Sequence, residues 1–354
     1  MMQMSRRQIL AGSAALGGFA VSPLRAATST PPTLPPHLIH PELRATVPMI
    51  EKFASGPAFN RANLVQIRKG SGAWQQKPLD TVPYERRVIP VGKPHPDVAI
   101  YIVNAKPGTK RPAILHTHGG GYVLGTAESS VRALQELCAK LDCVAVSVDY
   151  RLAPETTYAG SIEDNYAGLK WLQANAASLG ADPARIAVMG ESAGGGHAAL
   201  LAITARDRGE VQLAYQCLIY PMLDDRTGTT RGVPPHVGTL IWTRAQNHFG
   251  WESFLGVAPG RASAPKNAVP ARVANLKGLP PAFIGVGTLD LFHDEDVDYA
   301  QRLNAAGVPA ELIVVPGAFH GFDGIAKMAK VPLGAWFEAT VHNALRRGFG
   351  IAAL

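Results

Sequence analysis

Arg185-Ile186-Ala187-Val188-Met189-Gly190-Glu191-Ser192-Ala193-Gly194-Gly195-Gly196-His197 is the stretch on which the reading of this chain turns. Ile186 to Met189 is a short apolar run, partly β-branched, and it reads as a buried strand. Ala198 to Thr204 is made of good helix formers, so Ser192 falls on a strand-to-helix turn. Gly190 and Gly194 flank it at the G-x-S-x-G spacing of a nucleophile elbow. A turn that tight has no room for flanking side chains, and its strain leaves the serine hydroxyl exposed above the sheet. A helix starting at the serine also points unpaired backbone N–H groups at whatever the hydroxyl attacks. Taken alone, the five residues suit a glycine-rich phosphate loop or a plain tight turn as well, so the rest of the chain has to decide.

Outward from this point, strands and helices alternate. Apolar or alternating runs at Glu85–Val91, Val98–Asn104, Ala113–Thr117, Cys143–Val148, Ile186–Met189, Leu213–Tyr220, Ala282–Val286 and Leu312–Val315 read as strands. Gly92-Lys93-Pro94-His95-Pro96 separates the first two as a hairpin would. Helical segments are expected at Ser129–Leu141, Tyr166–Leu179 and Ala198–Arg206. The fold class is therefore α/β: a mostly parallel sheet of about eight strands with helices on both faces.

Directly after the strand ending at Leu115 comes His116-Thr117-His118-Gly119-Gly120-Gly121-Tyr122. Three successive glycines offer backbone N–H groups with no side chain in the way, which is what a developing oxyanion requires. A serine hydroxyl also needs a base to take its proton and a carboxylate to hold that base. Asp290 lies just past the apolar run Phe283–Val286, at the C-terminal end of a strand where parallel sheets place their chemistry, and His320 follows Leu312–Val315 in the same way. The chain order Ser192, Asp290, His320 is that of α/β hydrolases.

His118-Gly119-Gly120-Gly121-Tyr122, Asp149-Tyr150-Arg151-Leu152-Ala153-Pro154-Glu155 and Gly190-Glu191-Ser192-Ala193-Gly194-Gly195 together resemble the signature blocks of the hormone-sensitive-lipase-like esterases. The resemblance runs from about Pro41 to Gly348. It implies an α/β-hydrolase fold, an oxyanion hole formed by the N–H groups of Gly120, Gly121 and Ala193, and Ser192, Asp290 and His320 as nucleophile, acid and base. It also implies that residues 42–348 form one α/β-hydrolase domain, with a helical cap over the active site built from about 42–69 and 224–274. Trp242, Phe249 and Trp251, in the helical insertion that breaks the alternation, would either line an acyl pocket or glue cap to core. The chain departs from the family where Asp290 is followed by Leu291-Phe292-His293-Asp294 rather than Pro-Leu, which makes Asp294 the second candidate acid. Asp294, Glu295, Asp296 and Asp298 read as the solvent-facing first turns of a helix, favoured there by its dipole.

Metal chemistry finds little support. His116 and His118 form an H-x-H pair with no third ligand at a suitable spacing, and His118 is expected to brace the glycine loop instead. Counted from Asp294, the sixth and twelfth positions are Tyr299 and Ala305, so the glycine and glutamate of a calcium-binding loop are missing. No cofactor is expected.

At the N-terminus, Arg6-Arg7 precede an apolar run from Ile9 to Val21 that is shorter than the ~20 residues needed to span a bilayer. Residues 1–26 read as a twin-arginine export signal, 27–41 as a linker, and the mature protein as periplasmic or secreted without stable membrane insertion. Cleavage would remove Arg6, Arg7 and Arg25, lowering the formal net charge of +7 by three. No basic stripe with interleaved aromatics remains, so nucleic-acid binding is not expected. Cys138, Cys143 and Cys217 are odd in number and lie in buried-looking segments, as free thiols would.

The leading expectation is a serine carboxylesterase acting on small soluble esters of short to medium acyl chain. A sugar O-deacetylase, lactonase or amidase would use the same triad. A non-catalytic ligand-binding protein on this fold is the rival from another class, and His320 argues against it. Nothing in the sequence specifies an oligomeric state.

Overall fold

The computed structural model describes residues 34–54, 60–71, 76–265 and 267–352. The expected signal sequence lies outside the described residues, as does the linker up to Thr33. From Leu34 the chain docks on the core: Leu34 and Ile39 are buried, and His40 donates its N–H to the carbonyl of Gly317 at 2.9 Å. Helix α1 (Val47–Ala54) follows a 3-10 turn at Pro41–Thr46, and α2 (Leu64–Ser71) comes after it. Leu43, Val47 and Ile50 form the buried face expected from their spacing. The side chain of Phe53, the fourth member of that face, lies outside the described residues.

The sheet is assembled from β1 (Tyr84–Ile89), β2 (Val98–Val103), β3 (Arg111–Thr117), β4 (Val144–Val148), β5 (Ala181–Glu191), β6 (Tyr215–Ile219), β7 (Ala282–Gly287) and β8 (Ala310–Val315). Among the described residues it has eight strands in the order β1-β2-β4-β3-β5-β6-β7-β8. β1 with β2 and β2 with β4 pair antiparallel, and every other pair is parallel. All residues of β3, β4, β6 and β7 are buried, which is why these strands read as largely apolar runs rather than alternating ones.

The helices between the strands are α3 (Val131–Leu141), α4 (Tyr158–Ala174), α5 (Ala176–Leu179), α6 (Ala193–Arg208), α7 (Arg244–Leu255), α8 (His293–Ala305), α9 (Phe322–Met328) and α10 (Pro332–Gly348). They divide into two layers because strand residues alternate between faces. Leu115, Val144 and Val146 pack with Leu169, Leu201 and Leu303 of α4, α6 and α8. Ile114 and Ala145 join the opposite core with Leu137 of α3 and Phe337 and Leu345 of α10. Among the described residues, no helix is long and apolar enough to cross a membrane.

Two expectations are corrected here. α4 begins at Tyr158, not Tyr166, because its first turns bury Gly160, Ser161, Asp164 and Asn165, polar residues that hide the apolar stripe. Asp164 is tolerated there because both its oxygens receive the Arg151 guanidinium and one also accepts the Arg151 N–H. On α8, Glu295 and Asp296 are fully buried and do not face solvent. Glu295 Oε1 accepts the N–H groups of Leu223 and Asp224 at 2.6 and 3.0 Å, fixing the chain where it leaves β6. Burial pushes both carboxyls well above the usual carboxylate range.

Candidate active site

β5 delivers Ser192 to its end, and α6 starts at the next residue. Ser192 sits at φ 57° and ψ −123°, a conformation that side-chain-bearing residues rarely adopt. Its carbonyl accepts from Gly196 at 3.0 Å and Met222 at 2.9 Å, and its N–H donates to Ile219 at 2.9 Å. These bonds hold the strained turn in place. Thr117 Oγ1 donates to the Gly194 carbonyl at 2.7 Å and ties β3 to the first turn of α6.

His320 and Asp290 reach Ser192 from the ends of β8 and β7. Ser192 Oγ lies 2.9 Å from His320 Nε2, and His320 Nδ1 lies 2.8 Å from Asp290 Oδ2. Asp290 is fully buried and its other oxygen accepts the Phe292 N–H at 3.0 Å, so both oxygens are committed. Asp294 is elsewhere: its side chain is 58% exposed and bonds His293 at 2.7 Å. The three residues picked from the sequence therefore come together, and the alternative acid does not.

The glycine loop after β3 lies against the elbow. A Cβ on Gly119 would stand 3.0 Å from the Glu191 carbonyl and 3.5 Å from Ser192 Cβ. Gly120 and Gly121 have φ of 124° and 61°, which turns the loop back over Ser192. The N–H groups of Gly120 and Gly121 meet no acceptor among the described residues, while the Gly120 carbonyl accepts from Val123 and Leu124. Ala193 is the first residue of α6, where backbone N–H groups have no intrahelical partner.

His118 braces this loop as expected: its Nδ1 donates to the Gly119 carbonyl at 2.9 Å and its ring stacks on Tyr150 at 4.2 Å. Burial lowers its pKa to about 4, so the ring is neutral. Tyr150 in turn donates to the His118 carbonyl at 2.6 Å, and Asp149 accepts the Ala127 N–H at 2.9 Å. His116 points elsewhere, to Ser147 at 2.8 Å and Glu191 at 3.1 Å.

Of the three aromatics in the insertion, one is at the site. The ring of Trp242 covers Gly121, where a Cβ would meet it at 2.1 Å, and its centroid is 6.4 Å from that of His320. Trp251 is fully buried against Tyr122 and Phe254, which makes it glue. Phe249 lines a separate cleft with Arg61, Pro154 and Thr157. Sequence reasoning missed Tyr220 and Phe292, whose rings stand edge-on to His320 at 4.8 and 5.2 Å. Tyr220 directly follows the end of β6 and Phe292 stands two residues after Asp290, and that proximity was the available signal.

His197 is a buried ring among rings. It packs on Tyr150, Tyr122 and Phe254 at 4.4, 5.1 and 5.3 Å, and neither nitrogen has a partner among the described residues. Burial lowers its pKa from 6.5 to about 3. The unfolded chain then takes up a proton near pH 6.5 that the native site refuses until about 3. The stability this residue contributes is complete above pH 6.5 and is lost as pH falls through that range, by about 3 kcal/mol near pH 4.5. His197→Phe should keep a near-normal melting temperature at pH 7 and lose less of it on acidification; an acid profile identical to wild type would refute this.

Elbow, glycine loop and sheet order define an α/β hydrolase built around a serine. Residues 114–324 match the family described as alpha/beta hydrolase fold, and the chain belongs to that family, among its hormone-sensitive-lipase-like esterases. Carboxylesterase NlhH of Mycobacterium tuberculosis is 37% identical over 252 residues, covering 69% of this chain and 73% of that protein. Ethyl acetate hydrolase of Pseudomonas putida is 31% identical over 218 residues, 61% of this chain and 67% of that one. Among solved structures, a bacterial heroin esterase aligns with a TM-score of 0.80 at 36% identity, over 88% of this chain and 98% of its own.

Proposed function

We propose that this carboxylic ester hydrolase works through an acyl-enzyme on Ser192, with His320 as base, Asp290 as the acid that orients it, and the N–H groups of Gly120, Gly121 and Ala193 as the oxyanion hole. The reading rests on the unbroken line from Ser192 Oγ through His320 to Asp290, with contacts of 2.9 and 2.8 Å. His320 Nε2 takes the hydroxyl proton as Oγ attacks the ester carbonyl, and the oxyanion is met by the three N–H groups. Collapse expels the alcohol, which leaves with the proton from His320. Water then attacks the acyl-enzyme by the same route, releasing the carboxylic acid and restoring Ser192. Asp290 keeps Nδ1 protonated and faces the imidazolium as it forms.

A cap formed by the N-terminal segment to about Lys69 and by 224–274 is part of the same reading. Arg68 of α2 supports it, donating to the carbonyls of Val123 and Ala153 at 2.8 and 2.7 Å and pairing with Glu155. Trp242 supports it too, because a large ring over Gly121 bounds the space beside the nucleophile. Among the described residues, exposed large apolar side chains such as Val65, Val88 and Val257 are scattered over different elements and form no evident face for docking on fat droplets. The substrates are therefore soluble esters of short to medium acyl chain, in keeping with the name of the ethyl acetate hydrolase relative. Each buried methylene adds about 0.8 kcal/mol until the pocket ends. Across a p-nitrophenyl ester series, kcat/KM should peak between about two and eight acyl carbons and then fall. Maximal activity on long-chain triglyceride emulsions would overturn the reading.

Export through the twin-arginine route completes the proposal, motivated by Arg6-Arg7 and the short apolar run after them. Three buried, free cysteines, with Cys138 and Cys143 Sγ atoms 3.7 Å apart, suit a chain that folds in a reducing compartment before it is moved. Changing both arginines to lysine should strand the precursor in the cytoplasm. Unchanged processing to a start near Ala27 would point to another route.

A further inference from the structure

Behind the nucleophile elbow lies a second cavity. Glu191 is the residue before Ser192, and its side chain leaves β5 on the face opposite the serine. It opens into a cavity of about 320 Å³ between α3, α9 and α10. Leu137, Ile219 and Phe337 are among its apolar walls, while Glu191, Asp323 and His342 bring polar groups to it. At that size it falls at the small end of the range for ligand pockets and holds about ten non-hydrogen atoms at roughly 30 Å³ each.

The polar groups are not used up by the protein. His342 is 6% exposed, and neither ring nitrogen has a partner among the described residues. Its nitrogens are not among the sealed unpaired atoms, so the ring opens to the cavity and can take a partner there. Glu191 accepts from His116 through Oε2 only, so Oε1 is free of protein partners among the described residues. Asp323 takes the Tyr220 hydroxyl at 2.8 Å on Oδ1. Lys327 also lines the cavity, but it is already held by Glu136 at 2.8 Å and Glu338 at 3.2 Å. Carboxylates from Glu191, Asp323 and Glu338 thus face the space against a single, neutralised ammonium.

We propose that this cavity is a second ligand site, separate from the catalytic cleft, that takes a small organic ammonium carrying an apolar body. The ammonium would bond Glu191 Oε1 and the acceptor nitrogen of His342, and the body would lie on Leu137, Ile219 and Phe337. A bare metal ion fits poorly, since most of the wall offers it no ligand. An anion would meet the carboxyl groups of Glu191 and Asp323, while the ammonium of Lys327 is already held by Glu136 and Glu338. The site also touches the triad at two places. Glu191 shares a peptide bond with Ser192, and Asp323 holds the hydroxyl of Tyr220, whose ring stands edge-on to His320.

The test is calorimetric titration of the folded protein with benzylammonium, with benzyl alcohol and benzoate as its uncharged and anionic counterparts. It is run on Ser192→Ala, so that binding is read without turnover and independently of the esterase assignment. Benzylammonium should bind with a Kd at or below about 1 mM, and benzoate should not. Glu191→Gln should weaken binding about tenfold or more by removing the charge-assisted bond. Ala133→Phe, at an exposed position on the cavity's rim, should do the same by filling the space while leaving the thermal melt unchanged. Absence of benzylammonium binding, equal binding of benzoate, or unaltered affinity in Ala133→Phe would each overturn the proposal.

Discussion

Ser192→Ala and His320→Ala should each lower kcat/KM for p-nitrophenyl acetate by roughly ten-thousand-fold or more while the thermal melt barely moves. Loss on this scale follows from the geometry: Oγ has no other base in reach, and His320 Nε2 bonds nothing but Ser192 among the described residues. Because the two act as one unit, the double variant should be about as inactive as either single one. Asp290→Asn should also fall by about ten-thousand-fold, since an amide in place of the carboxylate favours the wrong tautomer of His320. Asp294→Asn, at an exposed position that touches only His293, should stay within a few-fold of wild type. A fully active His320→Ala would refute the triad, and the reverse ranking of the two aspartates would move the acid to Asp294.

Gly194→Ala should be among the most damaging single-methyl changes in the protein. A Cβ there would stand 2.0 Å from the Thr117 carbonyl oxygen and 2.7 Å from the His118 backbone, neither of which can rotate away. Gly190 is similar, with 2.4 Å to Gly194 and 2.6 Å to Thr117. Relief requires prising α6 from β3 at the elbow, so a loss above about 4 kcal/mol in urea unfolding is expected, with any folded fraction inactive. Gly209→Ala is the matched control. Unlike Gly194, which is helical, it has a left-handed backbone, at φ 69°, but with open space around it the change should cost only about 1 kcal/mol. Wild-type stability in Gly194→Ala would mean that the elbow is looser than its contacts imply.

What made the sheet legible was the burial of its parallel strands on both faces, which leaves largely apolar runs such as Cys143–Val148. The triad was legible because strand ends and glycines mark the places where chemistry sits. Helices were harder. α6 begins at Ala193, as the elbow requires, although the run of helix formers starts only at Ala198, since its first turn is glycine, placed for closeness to the neighbouring backbone and not for helix propensity. α10 was overlooked although Leu333, Phe337, Val341 and Leu345 recur every four residues and are all buried. The burial of Glu295 and Asp296 was not readable at all. Local pattern makes carboxylates in a first helical turn look solvated, and only the packing of α8 against the loop after β6 removes them from water.

The backbone at Ser192 has a meaning for the protein's history. A side chain held at φ 57° and ψ −123° withholds about 1–3 kcal/mol from a fold whose whole margin is of order ten. Glycine would release that amount at once, so drift alone pushes this position away from serine. Only the continuing need to cleave something pushes back. Serine at this dihedral is therefore a running record of use: a lineage that stopped acting on its substrate would gain stability first at the residue that had done the chemistry.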